Sequence, residues 1–416
     1  MESRSKAHVS WCILLEITVA VLFCSNAQAA PLKITLDTYR NCIDGSILSF
    51  SVSCCPGVEL DLNVTVVDFI PKRDRLSGHR IRKALQCLTG EELRTYTEKL
   101  TRAYELMRAL PSSDPRSLHQ QELTHCAHGT GSFVQDGLKA DSNFTLDIHS
   151  SWIFLPWHRM FIYFHERILQ KLLDDPTFTL HFWNFDNGLD GRTSSTEGCS
   201  EPGHFFPGIY NDNSTSTFEP SRSNRTRVLN VPIDLTFPVM FSEADPAVAL
   251  RCVNEAVPRN REAMHLAMQK GRVSRDFFGI PFRYGDVRPP MLVGGGSLEY
   301  FPHNSLHDWV GGFMRTPLRA TGDPVFYPAH ANVDRLWDVW MKLGDGRELL
   351  QPTDPDWLDA EFLLWDENRV LRRLKVKDVL NIADLGYSYE KVYDASWIFW
   401  QNSTGLVSSA MAPTQP

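Results

Sequence analysis

Six histidines stand in two separated triplets, a pattern with purpose only in a fold that brings each triplet to one point. The first triplet is His125 in HQQELTHCAH, with His149 and His158 in DIHSSWIFLPWHR. The second is His303 and His307 in EYFPHNSLHDW, with His330 in DPVFYPAHANVDRLW. Imidazole is the commonest protein metal ligand and suits copper well. With no thiolate or carboxylate at ligand spacing, the two sets predict two copper ions held by nitrogen alone, a pair suited to oxygen chemistry. The chain carries 14 histidines in 416 residues, so any single one reads by default as a surface or satisfied core residue.

Three features outweigh that default. His303 and His307 are four residues apart, which puts both rings on one helix face. His149 and His158 are nine apart, on opposite sides of any one straight helix. His149 must therefore precede the helix, with His158 in its first turn. His158, His303 and His330 each follow a proline by one or two residues. Proline in a first helical turn places each ring near a positive helix end, which keeps it neutral and free for a metal. A zinc protease site is excluded, because Asn304, Ser305 and Leu306 supply no general base between the ligands. The remaining histidines lack ligand-like partners. His128 and His165 lie nearest the triplets and are left as supporting groups or none, and His119 is read as structural.

The chain reads as mainly α, a helical body with a small β-rich C-terminal unit. A capping box at Thr89-Gly90-Glu91-Glu92 opens a helix that Pro111 ends. A second helix starts near Leu155, with a buried stripe of Phe161, Phe164, Ile168 and Leu172. Further helices are predicted over 258–270, Pro302–Val310 and Pro328–Leu343, the last closed by Gly344. Residues 190–229 read as a long surface loop, Gly294–Gly296 as a hinge or turn, and 358–395 as short strands. Trp152, Trp157, Phe182 and Trp183 read as core. A net charge of −8 suggests no nucleic-acid face.

Residues 1–29 read as a secretory signal peptide: Arg4 and Lys6, an apolar run from Trp11 to Phe23, then Ala27-Gln28-Ala29. An uncleaved anchor is a weaker reading, with Glu16 inside the apolar run, and a chloroplast transit peptide is disfavoured because Glu2 and Glu16 are acidic. The expectation is a secreted chain (vacuole or cell wall included) with no stable membrane anchor after cleavage. Secretion makes disulfides plausible for the seven cysteines that remain. Sequons at Asn63, Asn143, Asn213, Asn224 and Asn402 fit a glycoprotein.

At this point the motifs are recognisable. HQQELTHCAH, HSSWIFLPWHRMFIYFHERIL, FWNFDNG, PHNSLHDWVGG and DPVFYPAHANVDRLW resemble the copper-A and copper-B regions of the tyrosinase and polyphenol oxidase family, plant type. The run from DPDWL to Tyr387 and Tyr389 resembles that family's DWL segment. The resemblance implies copper A on His125, His149 and His158, copper B on His303, His307 and His330, and a four-helix bundle presenting the rings inward. It implies a dicopper domain over 30–345, a DWL segment over 346–395 and a tail over 396–416. It suggests disulfides Cys42–Cys55 and Cys54–Cys126, with Cys199 and Cys252 a further pair and Cys87 odd.

The departures matter as much. Where the plant pattern has a cysteine forming a thioether to the second copper-A histidine, this chain has Gly129, so no such crosslink is expected. Ala329 replaces the first of a usual histidine pair. The bulky residue that gates copper B aligns near Pro317, so the gate looks open. The stretch after Tyr389 is too short for a shielding domain, which predicts activity without proteolysis. In the family a Glu and an Asn at the positions of Glu299 and Asn304 hold a water that acts as base. The plainer alternative is that Glu299 only caps the helix near Pro302. Asp308 sits at the expected pocket mouth, where its charge would favour ammonium-bearing phenols. The implied function is oxidation of o-diphenols to o-quinones with dioxygen, with monophenol hydroxylation beside it. The rivals are a non-enzymatic dicopper oxygen carrier and a copper-free binding protein on the same scaffold.

Overall fold

The computed structural model describes residues 30–47, 50–55, 63–71, 79–138, 142–187, 203–228, 231–237, 253–269, 273–290, 293–344, 351–391 and 397–398. The expected leader, Cys199, Cys252 and Asn402 lie outside the described residues. The helices in chain order are α1 (Leu36–Arg40), α2 (Gly90–Ala109), α3 (Leu118–Gly129), α4 (Phe154–Leu173), α5 (Val253–Gln269), α6 (Ser274–Phe278), α7 (Ser305–Val310), α8 (Phe326–Lys342) and α9 (Pro355–Leu358). The strands are β1 (Gly45–Ile47), β2 (Phe50–Val52), β3 (Val67–Asp68), β4 (Arg80–Arg82), β5 (Glu361–Trp365), β6 (Leu371–Lys375) and β7 (Tyr387–Tyr389).

The central helix is α4. Its sequence predicts one buried stripe, yet every residue from Phe154 to Glu166 is buried. The reason is its position: α2 packs on one side, α8 on another and β5 on a third. A helix enclosed all round needs apolar residues all round. It ends where Asp174 turns left-handed at φ 51°. Helix α2 buries Tyr96, Leu100, Ala103, Tyr104 and Met107 on its inner face. The capping box expected at its start does not form. Thr89 makes no side-chain cap bond, Gly90 takes φ +52°, and Glu92 pairs with Lys83 instead of reaching back.

Helices α4 and α8 are also tied by buried charge. Arg159, next to His158, donates to Asp334, four residues after His330. The Tyr387 and Tyr389 hydroxyls donate to the other oxygen of Asp334 at 2.7 and 2.6 Å. Glu166 accepts from both Arg80 and Arg82, at 3.1 and 3.0 Å. Breaking such a buried pair from one side costs roughly 3–5 kcal/mol, because the partner is left charged and alone.

The C-terminal strands form where expected, but their sheets are completed from the other end of the chain. β5 and β6 pair antiparallel, with Leu363 opposite Arg373. β3 then adds parallel to β6, and β4 parallel to β7, with Ile81 opposite Ser388. After β6 the expected strand run becomes a 3-10 turn at Val376–Val379. The 190–229 stretch is also not a simple surface loop. Within its described part, Arg222 is buried and grips Asp323 with two donors, at 2.8 and 2.6 Å.

The disulfide pairing expected from the resemblance is corrected: the bonds are Cys42–Cys54 and Cys55–Cys126. Adjacent residues in an extended segment point opposite ways. Here Cys55 is the one that is buried, against α3. Cys87 is disulfide-bonded too, so it is not the odd cysteine. The Cys55–Cys126 bond closes a 71-residue separation, worth about 4 kcal/mol on the loop-entropy model. Among the described residues no helix is long and apolar enough to cross a membrane.

Candidate metal centre

The fold gathers the six histidines from five places. His125 lies near the end of α3, and His149 in the irregular segment before α4, as its spacing required. His158 is on α4, His307 on α7 and His330 on α8. His303 sits just after a kink: Phe301 is extended at φ −136°, ψ 122°, as a residue before proline prefers, and helical geometry resumes at Pro302. Within each triplet, one ligand atom per histidine lies within 4.8 Å of the others. The triplets face each other, with the His158 and His330 rings stacked at 4.9 Å and His149 and His303 centroids 6.3 Å apart.

The hydrogen bonds fix which nitrogen is free. Nδ1 of His125, His158 and His330 donates to the main-chain oxygens of Pro317, Phe154 and Phe326, at 2.9, 2.9 and 3.0 Å. His307 Nδ1 donates to the Met314 oxygen, and His303 Nδ1 to Asn304 Oδ1 at 2.9 Å. A carbonyl only accepts, so each Nδ1 holds the proton and each Nε2 presents a bare lone pair. The Nε2 atoms of His125, His158 and His307 are buried with no hydrogen-bond partner. Those of His303 and His330 face each other at 3.1 Å with no proton between them. Lone pairs so placed are unfavourable unless a cation sits among them, so the donor set fits a metal pair. Burial first, then the neighbouring histidines, holds His125, His158, His303 and His330 well below the usual imidazole range. Burial pushes His307 down to about 4.

The same cleft takes in Glu299 and Asn304. Glu299 is not a helix cap. Its Oε1 accepts from the Ser150 N–H at 2.6 Å, and its Oε2 is buried without a partner. Burial lifts its pKa to about 8. Gly295 makes room for it, since a Cβ there would meet Oε2 at 2.7 Å. The glycine run is thus a close packing contact and not merely a hinge. Asp308 lines the cleft, but Arg315 donates to it at 3.1 Å and lines the cleft too. The free rim carboxylate expected at that position is therefore charge-compensated. Pro317 also lines the cleft, while its carbonyl holds His125.

His128 and His165, the histidines nearest the triplets, have structural partners, whereas His119, which the sequence reads as structural, is exposed. His128 donates to the Thr124 oxygen, and His165 stacks on Tyr327 and bonds Tyr104. Gly129 lies directly against His149, where a Cβ would be 2.9 Å from the ring carbon Cε1. Cys126 is in its disulfide and not joined to a histidine. Sequence reasoning missed Asp147 and Arg288, which support His149. The only sequence signal was an Asp two residues before a ligand, a common turn motif.

Comparison with known proteins gives two family matches. The common central domain of tyrosinase matches residues 113–343, and the polyphenol oxidase middle domain matches residues 351–402. Polyphenol oxidase A1, chloroplastic, of Vicia faba is 38% identical over 321 residues, covering 75% of this chain and 48% of that protein. The chloroplastic latent-form polyphenol oxidase of Prunus armeniaca is 37% identical over 361 residues, covering 84% and 54%. The chain thus spans about half the length of the curated relatives it matches. The crystal structure of Grenache (Vitis vinifera) polyphenol oxidase superposes with TM-score 0.73 at 32% identity, covering 88% of this chain and 99% of that one. The relatives' names overturn the expectation of secretion: they are chloroplastic, which points to the plastid. An apolar run before small residues reports engagement with a membrane, not which membrane, and the two glutamates were too little to decide.

Proposed function

The chain belongs to the tyrosinase family, in its plant polyphenol oxidase branch, and from that membership we propose that it is a dicopper oxidase of small phenols. His125, His149 and His158 hold one copper, and His303, His307 and His330 the other. The observation that carries this reading is the gathering of each triplet's ligand atoms within 4.8 Å, with the Nε2 atoms of His125, His158 and His307 buried and unpartnered. When bound, the copper pair supplies dioxygen binding and electron transfer. Each o-diphenol gives two electrons and two protons and becomes an o-quinone. Dioxygen takes four of each, so two diphenols are consumed per dioxygen reduced to water.

Monophenol hydroxylation is the finer part of the proposal. A phenol with pKa near 10 must lose its proton before it can ligate a metal. Glu299 offers an unpartnered carboxylate oxygen in the same cleft, and Asn304 lies beside it with its own oxygen on His303. Metal charge in the adjacent triplets favours the ionised carboxylate, which can then take that proton directly or through a water. Relatives named aureusidin synthase (Antirrhinum majus) and (+)-larreatricin hydroxylase (Larrea tridentata) show how varied the reactions of such proteins are. The open cleft favours an enzyme over an oxygen carrier, which would need substrate kept away.

The test is copper analysis with oxygen uptake on catechol and tyramine. Two coppers per chain with turnover support the proposal; two coppers without turnover support the carrier; no copper supports the binding protein. Glu299→Gln and Asn304→Ala should depress tyramine hydroxylation far more than catechol oxidation, by roughly 10²–10⁴-fold for a positioned base. Equal losses on both substrates would assign the pair a structural role.

A further inference from the structure

The six rings are not held alike. Five have Nδ1 on an oxygen at 2.5–3.0 Å, four of these oxygens being main-chain carbonyls and the fifth the Asn304 side chain. His149 differs in two ways. It is the one ligand on no helix, and its Nδ1 faces a carboxylate, Asp147 Oδ1, at 3.3 Å. The same oxygen accepts the His149 main-chain N–H at 2.9 Å, which closes a turn around the ring.

Asp147 is itself gripped. Arg288 donates to its other oxygen through Nε at 3.0 Å and Nη2 at 2.6 Å. The far side of the guanidinium donates to Ser46, at 3.2 Å to both its carbonyl and its hydroxyl. Ser46 lies in β1, whose main chain is bonded to Thr130 at 2.8 Å, and that segment is stapled by Cys42–Cys54 and Cys55–Cys126. Gly131, at φ +66°, lets the guanidinium through, since a Cβ there would sit 2.3 Å from Nη1. Arg288, braced from behind by the stapled N-terminal segment, thus holds one carboxylate two residues from a ligand. Below the ring, Gly129 offers contact but no bond.

We infer that Asp147, held by Arg288 and the stapled N-terminal segment, is the positioning residue for His149, and that the first triplet needs this pair to hold its copper. The inference rests on the dicopper reading proposed above. A carboxylate behind a ligating imidazole fixes the ring and its tautomer and strengthens the ring as a donor, and losing such a partner typically weakens metal binding about 10–100-fold. The effect falls on the first triplet, because the hydrogen bonds of the Asp147 carboxylate go to His149 and Arg288.

Copper affinity is measured by competition with a chelator, without reference to turnover, in two backgrounds of the full chain. His303→Ala leaves only the first triplet complete, and His158→Ala only the second. In the His303→Ala background, Asp147→Ala should weaken the single copper site about 10–100-fold, and Asp147→Asn, which keeps an oxygen for the ring, should recover part of it. In the His158→Ala background neither change should move the affinity. Equal weakening in both backgrounds, or none in the first, overturns the inference. Should Asp147→Ala fail to fold, Arg288→Lys decides by the same two comparisons, since it keeps the charge but loses the two-donor fork. If neither background nor the parent binds copper, the dicopper reading itself falls, and this inference with it.

Discussion

Replacing Glu299 by Gln should change how the stability of the metal-free protein depends on pH. The carboxyl is 4% exposed, and burial lifts its pKa from 4.5 to about 8. The unfolded chain gives up this proton above about 4.5, while the folded chain keeps it to about 8. The folded state therefore binds more protons through that window, and stability falls as pH rises across it. The full contribution is present only below the unfolded pKa. The displacement corresponds to about 5 kcal/mol in total, of which about 2 kcal/mol is lost between pH 6 and 8. Glutamine keeps an oxygen for the Ser150 N–H and does not titrate. Urea unfolding of chelator-stripped parent and variant at pH 6, 7 and 8 measures the difference. The parent should lose about 2 kcal/mol relative to the variant over that range. A stability gap that stays constant with pH would refute the reasoning, because it would mean that Glu299 is already ionised in the metal-free fold.

The depressed histidines act in the opposite direction. His125, His158, His303 and His330 stay neutral in the fold, while the unfolded chain protonates them below about pH 6.5, so each costs about 1.4 kcal/mol per pH unit below that point. Copper bound to the folded chain adds stability by mass action, so metal-free protein should unfold in acid at higher pH than copper-loaded protein, and coincident acid transitions by circular dichroism would contradict this. Gly129→Ala, ordinarily a gain in a helix, should here lose about 1–3 kcal/mol, because its methyl would press on His149 and Pro317 at 2.9 and 3.3 Å. A variant with an unchanged or raised Tm would show that the ring moves freely. Cys55→Ser should cost about 4 kcal/mol from the 71-residue separation, read as a shift in urea midpoint; a shift under 1 kcal/mol would mean that the unfolded chain is little freed. Peptide mass spectrometry should find no Cys–His crosslink at His149, and one such peptide would disprove that expectation.

The gathering of the six histidines and most of the longer helices were legible because their signals are local, whereas α3, which carries His125, was not read from the sequence. The four-residue step of His303 and His307 and the prolines before His158, His303 and His330 each act within one or two turns of chain. The nine-residue gap to His149 placed that residue off the helix by arithmetic alone. What the tertiary structure decided is long-range. β4 joins β7, and β3 joins β6, across some three hundred residues, and a strand's own pattern does not name its partner. Cys54 and Cys55 are equal in sequence, and only the burial of one against α3 chose which cysteine reaches Cys126. Asp147 reads as a turn residue until Arg288 arrives from a distant part of the chain. Local propensity is written in neighbouring residues, whereas pairing, compensation and support arise only when packing sets distant side chains within a few ångströms of one another.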